Sequence, residues 1–281
     1  MSRYQLRFSA LMLAAVWVMG CKTESKPPAA VAAVPHSFTV QAKDFSFTAP
    51  DTVPAGLTTV SLVNEGPGIH HVQLVRLDSG RTVADLTAAM NGPDPFPTWA
   101  HAAGGPNPNT TPDARSEATV DLAPGSYAIL CLVDVPDHVP HFKKGMFRAL
   151  TVTPYAGPVP TLGAPDVTVS ATDFAFTMTD TVKPGMRSFL VKLPGTQPHE
   201  VLVFKLNPGK TVADLVKWGA TFQGPPPAAP VGGISAIEPG DFARFSANIT
   251  PGDYVLLCFV IDPKDGKPHV AKGMALPFKV S

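Results

Sequence analysis

A short pattern of cysteine, histidine and methionine occurs twice in this chain. The first copy reads PGSYAILC, ending at Cys131, and continues through PHFKKGM, which holds His141 and Met146. The second reads PGDYVLLC, ending at Cys258, and continues through PHVAKGM, which holds His269 and Met274. Each copy sets a thiol at the end of a β-rich run, an imidazole beyond a loop, and a thioether five positions after the imidazole. These are soft or borderline donors, and copper is the ion that such a set selects.

One histidine per copy leaves the set a member short of two His, one Cys and a weak axial Met, the arrangement used for one-electron exchange at copper. Comparing the chain with itself supplies the missing member. Asp44-Phe45-Ser46-Phe47 matches Asp173-Phe174-Ala175-Phe176, and Thr82 to Leu86 matches Thr211 to Leu215, both at an offset of 129 residues. The same offset pairs His70 with His199, each twelve residues before the matched Thr. His71 pairs with Glu200 and His138 with Gly266, so both are the poorer ligand candidates. The repeat thus selects His70, Cys131, His141 and Met146 as one set, and His199, Cys258, His269 and Met274 as the other. A disulfide between Cys131 and Cys258 is the alternative use of the two thiols, and would require the two sites to face each other. Gly145 and Gly273 precede the methionines, where the lack of a Cβ would let the backbone pass close to the site.

An offset of this size indicates duplication of a whole domain, not a small-repeat solenoid. Residues 37–42 and 167–171 alternate apolar and polar, as strands with one buried face do. Residues 57–63, 72–77, 127–133 and 146–152, and their counterparts 188–193, 201–206, 254–261 and 274–280, read as further strands. With 23 Gly and 32 Pro spread along the chain, this punctuation argues for an all-β sandwich in each repeat. One short helix interrupts each, capped by Thr82 with Asp85 and by Thr211 with Asp214. Pro/Gly-rich stretches follow at 91–112 and 223–233, readable as a solvated connection, a flap or a partner surface.

His70-x-Val72 and His199-x-Val201, Pro-Gly-x-Tyr-x-x-x-Cys, and His-x-x-x-Gly-Met together resemble the cupredoxin family, which includes plastocyanin, amicyanin and pseudoazurin. The resemblance covers each repeat nearly end to end. It implies two tandem Greek-key β-sandwich domains, one type 1 copper at the end of each, and electron transfer between redox partner proteins. The chain departs from the family in one respect. Nine residues separate Cys131 from His141 and ten separate Cys258 from His269, where family members keep a short gap. The inserted residues carry Asp134 and Asp137, matched by Asp262 and Asp265.

The chain has 281 residues and no net charge, which gives no basis for expecting nucleic acid as a partner. Arg3 and Arg7, an apolar run over 8–19, and Val18-Met19-Gly20-Cys21 resemble a bacterial lipoprotein leader. The expectation is a signal peptide over 1–20, lipid on Cys21, a tether over 21–35, domains over 36–154 and 166–281, and a linker over 155–165. Lipid would anchor the exported protein to a bacterial membrane, on the periplasmic face or cell surface. Storage or delivery of copper with copper-handling partners, and a metal-free interaction module, are the alternative functions. Tandem cupredoxin-domain oxidases and nitrite reductases add His-x-His pairs, and this sequence has none. His36, His71, His101 and His138 are spare in the first repeat alone, with His36 and His101 expected at the surface. The chain is therefore expected not to be an enzyme.

Overall fold

A computed structural model describes residues 33–92, 96–110, 115–134, 137–219 and 221–281. Cys21, the leader and nearly all of the tether lie outside the described residues. Residues 33–281 form one compact unit.

The first repeat runs β1 (His36–Lys43), β2 (Ser46–Thr48), β3 (Thr52–Pro54), β4 (Gly56–Asn64), β5 (Gln73–Leu77), α1 (Val83–Met90), β6 (Ala100–Ala102), β7 (Ser116–Leu122), β8 (Gly125–Leu130) and β9 (Phe147–Thr153). The second runs β10 (Val167–Thr172), β11 (Ala175–Met178), β12 (Gly185–Lys192), β13 (His199–Leu206), α2 (Val212–Gly219), β14 (Ala228–Ile237), β15 (Phe242–Ile249), β16 (Gly252–Leu257) and β17 (Ala275–Val280). The fold is all-β with one short helix per repeat, as the sequence leads one to expect. In β1 the alternation buries Phe38, Val40 and Ala42 and leaves Ser37 and Gln41 exposed, the period of two that a half-buried strand requires. Tyr127 and Tyr254, from the repeated Pro-Gly-x-Tyr, are almost fully buried. Each donates its hydroxyl to the carbonyl four residues upstream, of Ala123 and Thr250 respectively, at 2.8 Å. A buried phenol needs such a partner.

Both helices are short, and their starts are fixed by side chains. Thr82 accepts from the Asp85 amide while Asp85 accepts from the Thr82 amide, and Thr211 and Asp214 repeat the exchange. The reciprocal bonds satisfy donors that a helix start leaves unpaired. Below α1, Leu86 and Met90 pack with Val75, Leu130 and Phe142. Below α2, Leu215 packs with Leu206, Val255 and Leu257. Each helix therefore props the strand that leads into a cysteine.

The repeats are joined more closely than two beads on a linker. In one eight-stranded sheet the order is β11-β10-β12-β15-β7-β4-β1-β2. The seam is the antiparallel pairing of β15 with β7, which sets Ala243 opposite Val120 and Phe245 opposite Ala118. A second seam lies in the Pro/Gly-rich stretches. Ala103, Pro106 and Asn109 bridge to Ile237, Ile234 and Val231 of β14. On its other side the same segment bonds the approach to β5, with the Val72 amide on the Pro106 carbonyl at 3.0 Å and the Leu74 amide on the Gly104 carbonyl at 2.7 Å. Residues 223–226 stay exposed, but residues 103–109 and 227–233 are not a solvated connection. They are the strand-like mortar between the repeats, with Ala102, Gly104, Pro106 and Asn107 buried.

Glycine makes this close approach feasible. Gly105 and Gly233 hold φ of 132° and 135°, and an added Cβ would run into the carbonyl oxygens of Val72 and Val201. Only glycine adopts such a backbone at no steric cost. Gly233→Ala is therefore expected to lower the free energy of unfolding by at least about 2 kcal/mol, read from urea denaturation. Gly80→Ala is the control, because a Cβ there meets open space at a similarly positive φ of 83°.

Candidate metal centres

Three of the four donors of each set converge on one point. In the first repeat, His70 Nδ1 lies 3.1 Å from His141 Nδ1. Cys131 Sγ lies 3.3 Å from His141 Nδ1 and 4.0 Å from His70 Nδ1. In the second, His199 Nδ1 lies 3.0 Å from His269 Nδ1, and Cys258 Sγ lies 3.5 Å and 3.9 Å from His269 and His199 Nδ1. Both triplets are buried and could hold a metal ion. Both cysteines are free, so the disulfide alternative is not realised.

The fold brings each donor by a separate route. Cys131 and Cys258 sit one residue past β8 and β16. His199 opens β13, whereas His70 stands three residues ahead of β5. The second histidine starts a 3-10 helix, His141–Lys144 or His269–Lys272. The longer insert does not leave it adrift. The His141 amide bonds the Val133 carbonyl at 3.0 Å, and the His269 amide bonds the Val260 carbonyl at 2.9 Å. The extra residues are thus an excursion closed at its neck. Lys144 ties Asp137 across the first excursion, and Lys272 pairs with Asp262 and Asp265 across the second.

Each methionine follows from the same turn. Gly145 and Gly273 have φ of 96° and end the 3-10 helices. A Cβ on either would meet nothing within 4 Å. The requirement is the left-handed backbone, not the close approach expected from sequence. The Met146 and Met274 amides bond the His141 and His269 carbonyls at 3.1 Å, and the Cys131 amide bonds the Met146 carbonyl at 3.2 Å. Both methionines are fully buried.

Asp44 and Asp173 complete the geometry. His70 Nε2 lies 2.7 Å from Asp44 Oδ1, and His199 Nε2 lies 3.3 Å from Asp173 Oδ1. A carboxylate accepts, so the ring proton stays on Nε2 and the Nδ1 lone pair faces the thiol. Phe45 meets the His141 ring edge-on at 4.9 Å between centroids, and Phe174 meets His269 at 5.2 Å. The Asp-Phe-x-Phe motif, which in the sequence serves only to align the repeats, therefore supplies both supports. Its double occurrence in full was the signal that it does more than mark the register.

Burial governs the protonation of the cluster. It pushes the Cys131 thiol up to about 12 and raises Cys258 likewise. It lowers His141 and His269 to about 4, helped by the neighbouring imidazole. His70 and His199 are lowered as well, because burial outweighs their aspartates. The site is a neutral, water-excluding set of donors. The Nε2 atoms of His141 and His269 are buried without a hydrogen-bond partner, which leaves their Nδ1 atoms as the ends that face donors. Two Nδ1 atoms and one Sγ turned to one point fit a thiophilic cation of the copper type.

Of the spare histidines, His71 is the one with a structural role. Its Nε2 accepts from the Leu132 amide at 2.8 Å, and Glu200 accepts from the Phe259 amide at the equivalent place. His36 packs edge-on against Tyr155 and His101 pairs with Asp78. The His138 ring lies 5.4 Å from that of Phe222.

An all-β pair of repeats with a His–Cys–His cluster in each has a cupredoxin-like fold. No family model and no curated protein matches the sequence. Solved structures do match. An auracyanin from Roseiflexus castenholzii is 17% identical, covering 41% of this chain and 94% of its own, at a TM-score of 0.30. A copper-containing nitrite reductase from Thermus scotoductus is 14% identical over 88% of this chain, which spans 62% of the reductase, at a TM-score of 0.25. A blue copper oxidase from Nitrosomonas europaea is 16% identical over 88% of this chain and 86% of its own, at a TM-score of 0.24. The expectation that the chain is not an enzyme is corrected here. Proteins matched along 88% of the chain include enzymes, a copper-containing nitrite reductase and a blue copper oxidase, so that expectation is not supported.

Hydrogen bonds behind a ligand histidine commonly carry 10- to 100-fold in metal affinity. Asp44→Ala is expected to weaken Cu(I) binding at the first centre by that factor and leave the second unchanged. Competition against a Cu(I) chelator in the Cys258→Ser and Cys131→Ser backgrounds reads each centre separately.

Proposed function

We propose that this chain is an exported copper protein, lipid-anchored through Cys21, in which each repeat carries one electron on one copper. The observation that supports it most is the convergence of two Nδ1 atoms and one Sγ within 4.0 Å in each repeat, all buried and held by backbone bonds. His70, Cys131, His141 and Met146 would hold one ion, and His199, Cys258, His269 and Met274 the other. Copper supplies the one-electron couple. The chain's own residues supply the rest. The cysteine gives up its proton to become a thiolate ligand. Asp44 and Asp173 fix the ring tautomers. The 3-10 turns set His and Met on a scaffold that moves little, and burial keeps water off the donors. A site held in this way rearranges little between oxidation states, which favours fast transfer to redox partner proteins. Copper-handling proteins are the partners on the storage or delivery reading. Among the described residues no helix is long and apolar enough to cross a membrane.

Adding Cu(II) to the metal-free protein is expected to give an intense blue charge-transfer band with two copper ions per chain. Cys131→Ser and Cys258→Ser should each remove about half of it, and a one-electron reductant should bleach the remainder reversibly. A colourless protein with both thiols still free contradicts the proposal, and tight Cu(I) binding without reversible oxidation favours storage. Separately, Cys21→Ser should move the protein from the membrane fraction to the soluble fraction of the expressing cell.

A further inference from the structure

The insert between each cysteine and its second histidine supplies no donor, yet its acids recur in both repeats. Asp137 and its counterpart Asp265 each reach a lysine of the following 3-10 helix. Lys144 Nζ lies 2.6 Å from Asp137 Oδ2. Lys272 Nζ lies 3.1 Å from Asp265 Oδ2 and pairs with Asp262 as well. Both lysines directly precede the Gly-Met of their repeat. Each is held over an aromatic face. Lys144 Nζ stands 5.0 Å from the centroid of the Phe45 ring, and Lys272 Nζ stands 4.8 Å from that of Phe174. An ammonium at such a distance is attracted by the ring. The same phenyl rings meet the ligand imidazoles, Phe45 at 67° to His141 and Phe174 at 86° to His269. Acid, ammonium, phenyl and imidazole thus follow one another in the same order at both centres.

The imidazoles at the inner end of these stacks are closed off from solvent. His141 and His269 are 1% and 0% exposed. Their Nδ1 atoms face the other donors, so Nε2 points away from the cluster, and there it is buried without a hydrogen-bond partner. Among the described residues two rings touch His141, that of His70 through the Nδ1 side and that of Phe45. His199 and Phe174 flank His269 likewise. Phe45 and Phe174 are themselves half-buried, so each phenyl stands between an imidazole and solvent. A buried polar atom left unpaired is costly, and a cover over it has to be held down. The lysine and its acids do that from outside.

We propose that Phe45 and Phe174 decide what reaches each copper: each ring caps the Nε2 edge of a ligand histidine and closes the centre to small ligands. Lys144 with Asp137, and Lys272 with Asp262 and Asp265, are positioning residues that hold the cap in place. The long Cys–His insert is then the brace of the cap. The inference deepens the copper reading and rests on it only in taking His141 and His269 as ligands. Water and small anions need an opening to reach the metal, whereas an electron does not, so a capped centre stays open to electron exchange.

The test is acylation of histidine by diethyl pyrocarbonate in the metal-free full chain, mapped by mass spectrometry. In the parent, His141 and His269 should react far more slowly than the exposed His138. Phe45→Ala is expected to speed acylation of His141 by about tenfold or more, and to leave His269 and the buried His71 unchanged. Phe174→Ala should reverse the pattern. Phe45→Tyr keeps the ring and should keep His141 protected. A His141 rate unmoved by Phe45→Ala, or one that rises together with that of His71, overturns the cap. Lys144→Ala should speed His141 by about threefold, and an unchanged rate overturns the brace. In the Cu(II)-loaded Cys258→Ser chain, azide should leave the charge-transfer band unaltered and should shift it once Phe45→Ala is added. A shift without that substitution overturns the closure. A chain that takes up no copper sinks the copper reading alone, since the acylation measurement needs no metal.

Discussion

Two buried imidazoles that meet through Nδ1 at 3.0–3.1 Å disfavour positive charge on His141 and His269, through burial first and the neighbouring ring second. Much of the structure around the two centres follows from that constraint. Burial and mutual repulsion hold His141 and His269 neutral, and the aspartate behind His70 or His199 decides which nitrogen keeps its proton. The thiol beside them stays protonated for the same reason of burial. The imidazoles of such a cluster are poor at holding extra protons while the thiol keeps its own, and a soft cation that binds there must displace the thiol proton. Sandwich, 3-10 turns and carboxylates all serve to keep this unfavourable proximity in place.

Much of this was legible in the sequence because the chain is written twice. The offset that pairs His70 with His199 chose the ligand over its neighbour His71, and the structure sets His70 in the cluster and His71 against the Leu132 amide. Helix starts were legible because a capping box is local, with both partners within four residues. The long Cys–His insert read as a departure from the cupredoxin pattern because spacing counts residues, not closure. A single backbone bond, His141 to Val133, cancels the extra length.

What sequence reasoning missed shares one physical character. The carboxylate behind each ligand histidine comes from 26 residues away, and nothing local marks Asp44 as anything but a turn residue. The seam between repeats joins Pro106 to Ile234 and Ala118 to Phe245, pairings that no periodicity encodes. Gly104-Gly105 and Gly232-Gly233 lie within the Pro/Gly-rich stretches, whose composition alone does not mark them as contacts. Only the packed structure shows that the glycines let one backbone press against another. The same seam makes the two repeats one object and sets Asn107 between His71 and the Ile234 carbonyl.

X-ray absorption at the copper edge of the loaded protein tests the central claim most directly. The donor set requires one short sulfur contact and two imidazole nitrogens around each of two coppers, with half of the sulfur signal lost in Cys131→Ser and half in Cys258→Ser. Copper surrounded by nitrogen and oxygen alone, or a sulfur signal indifferent to both substitutions, would contradict it.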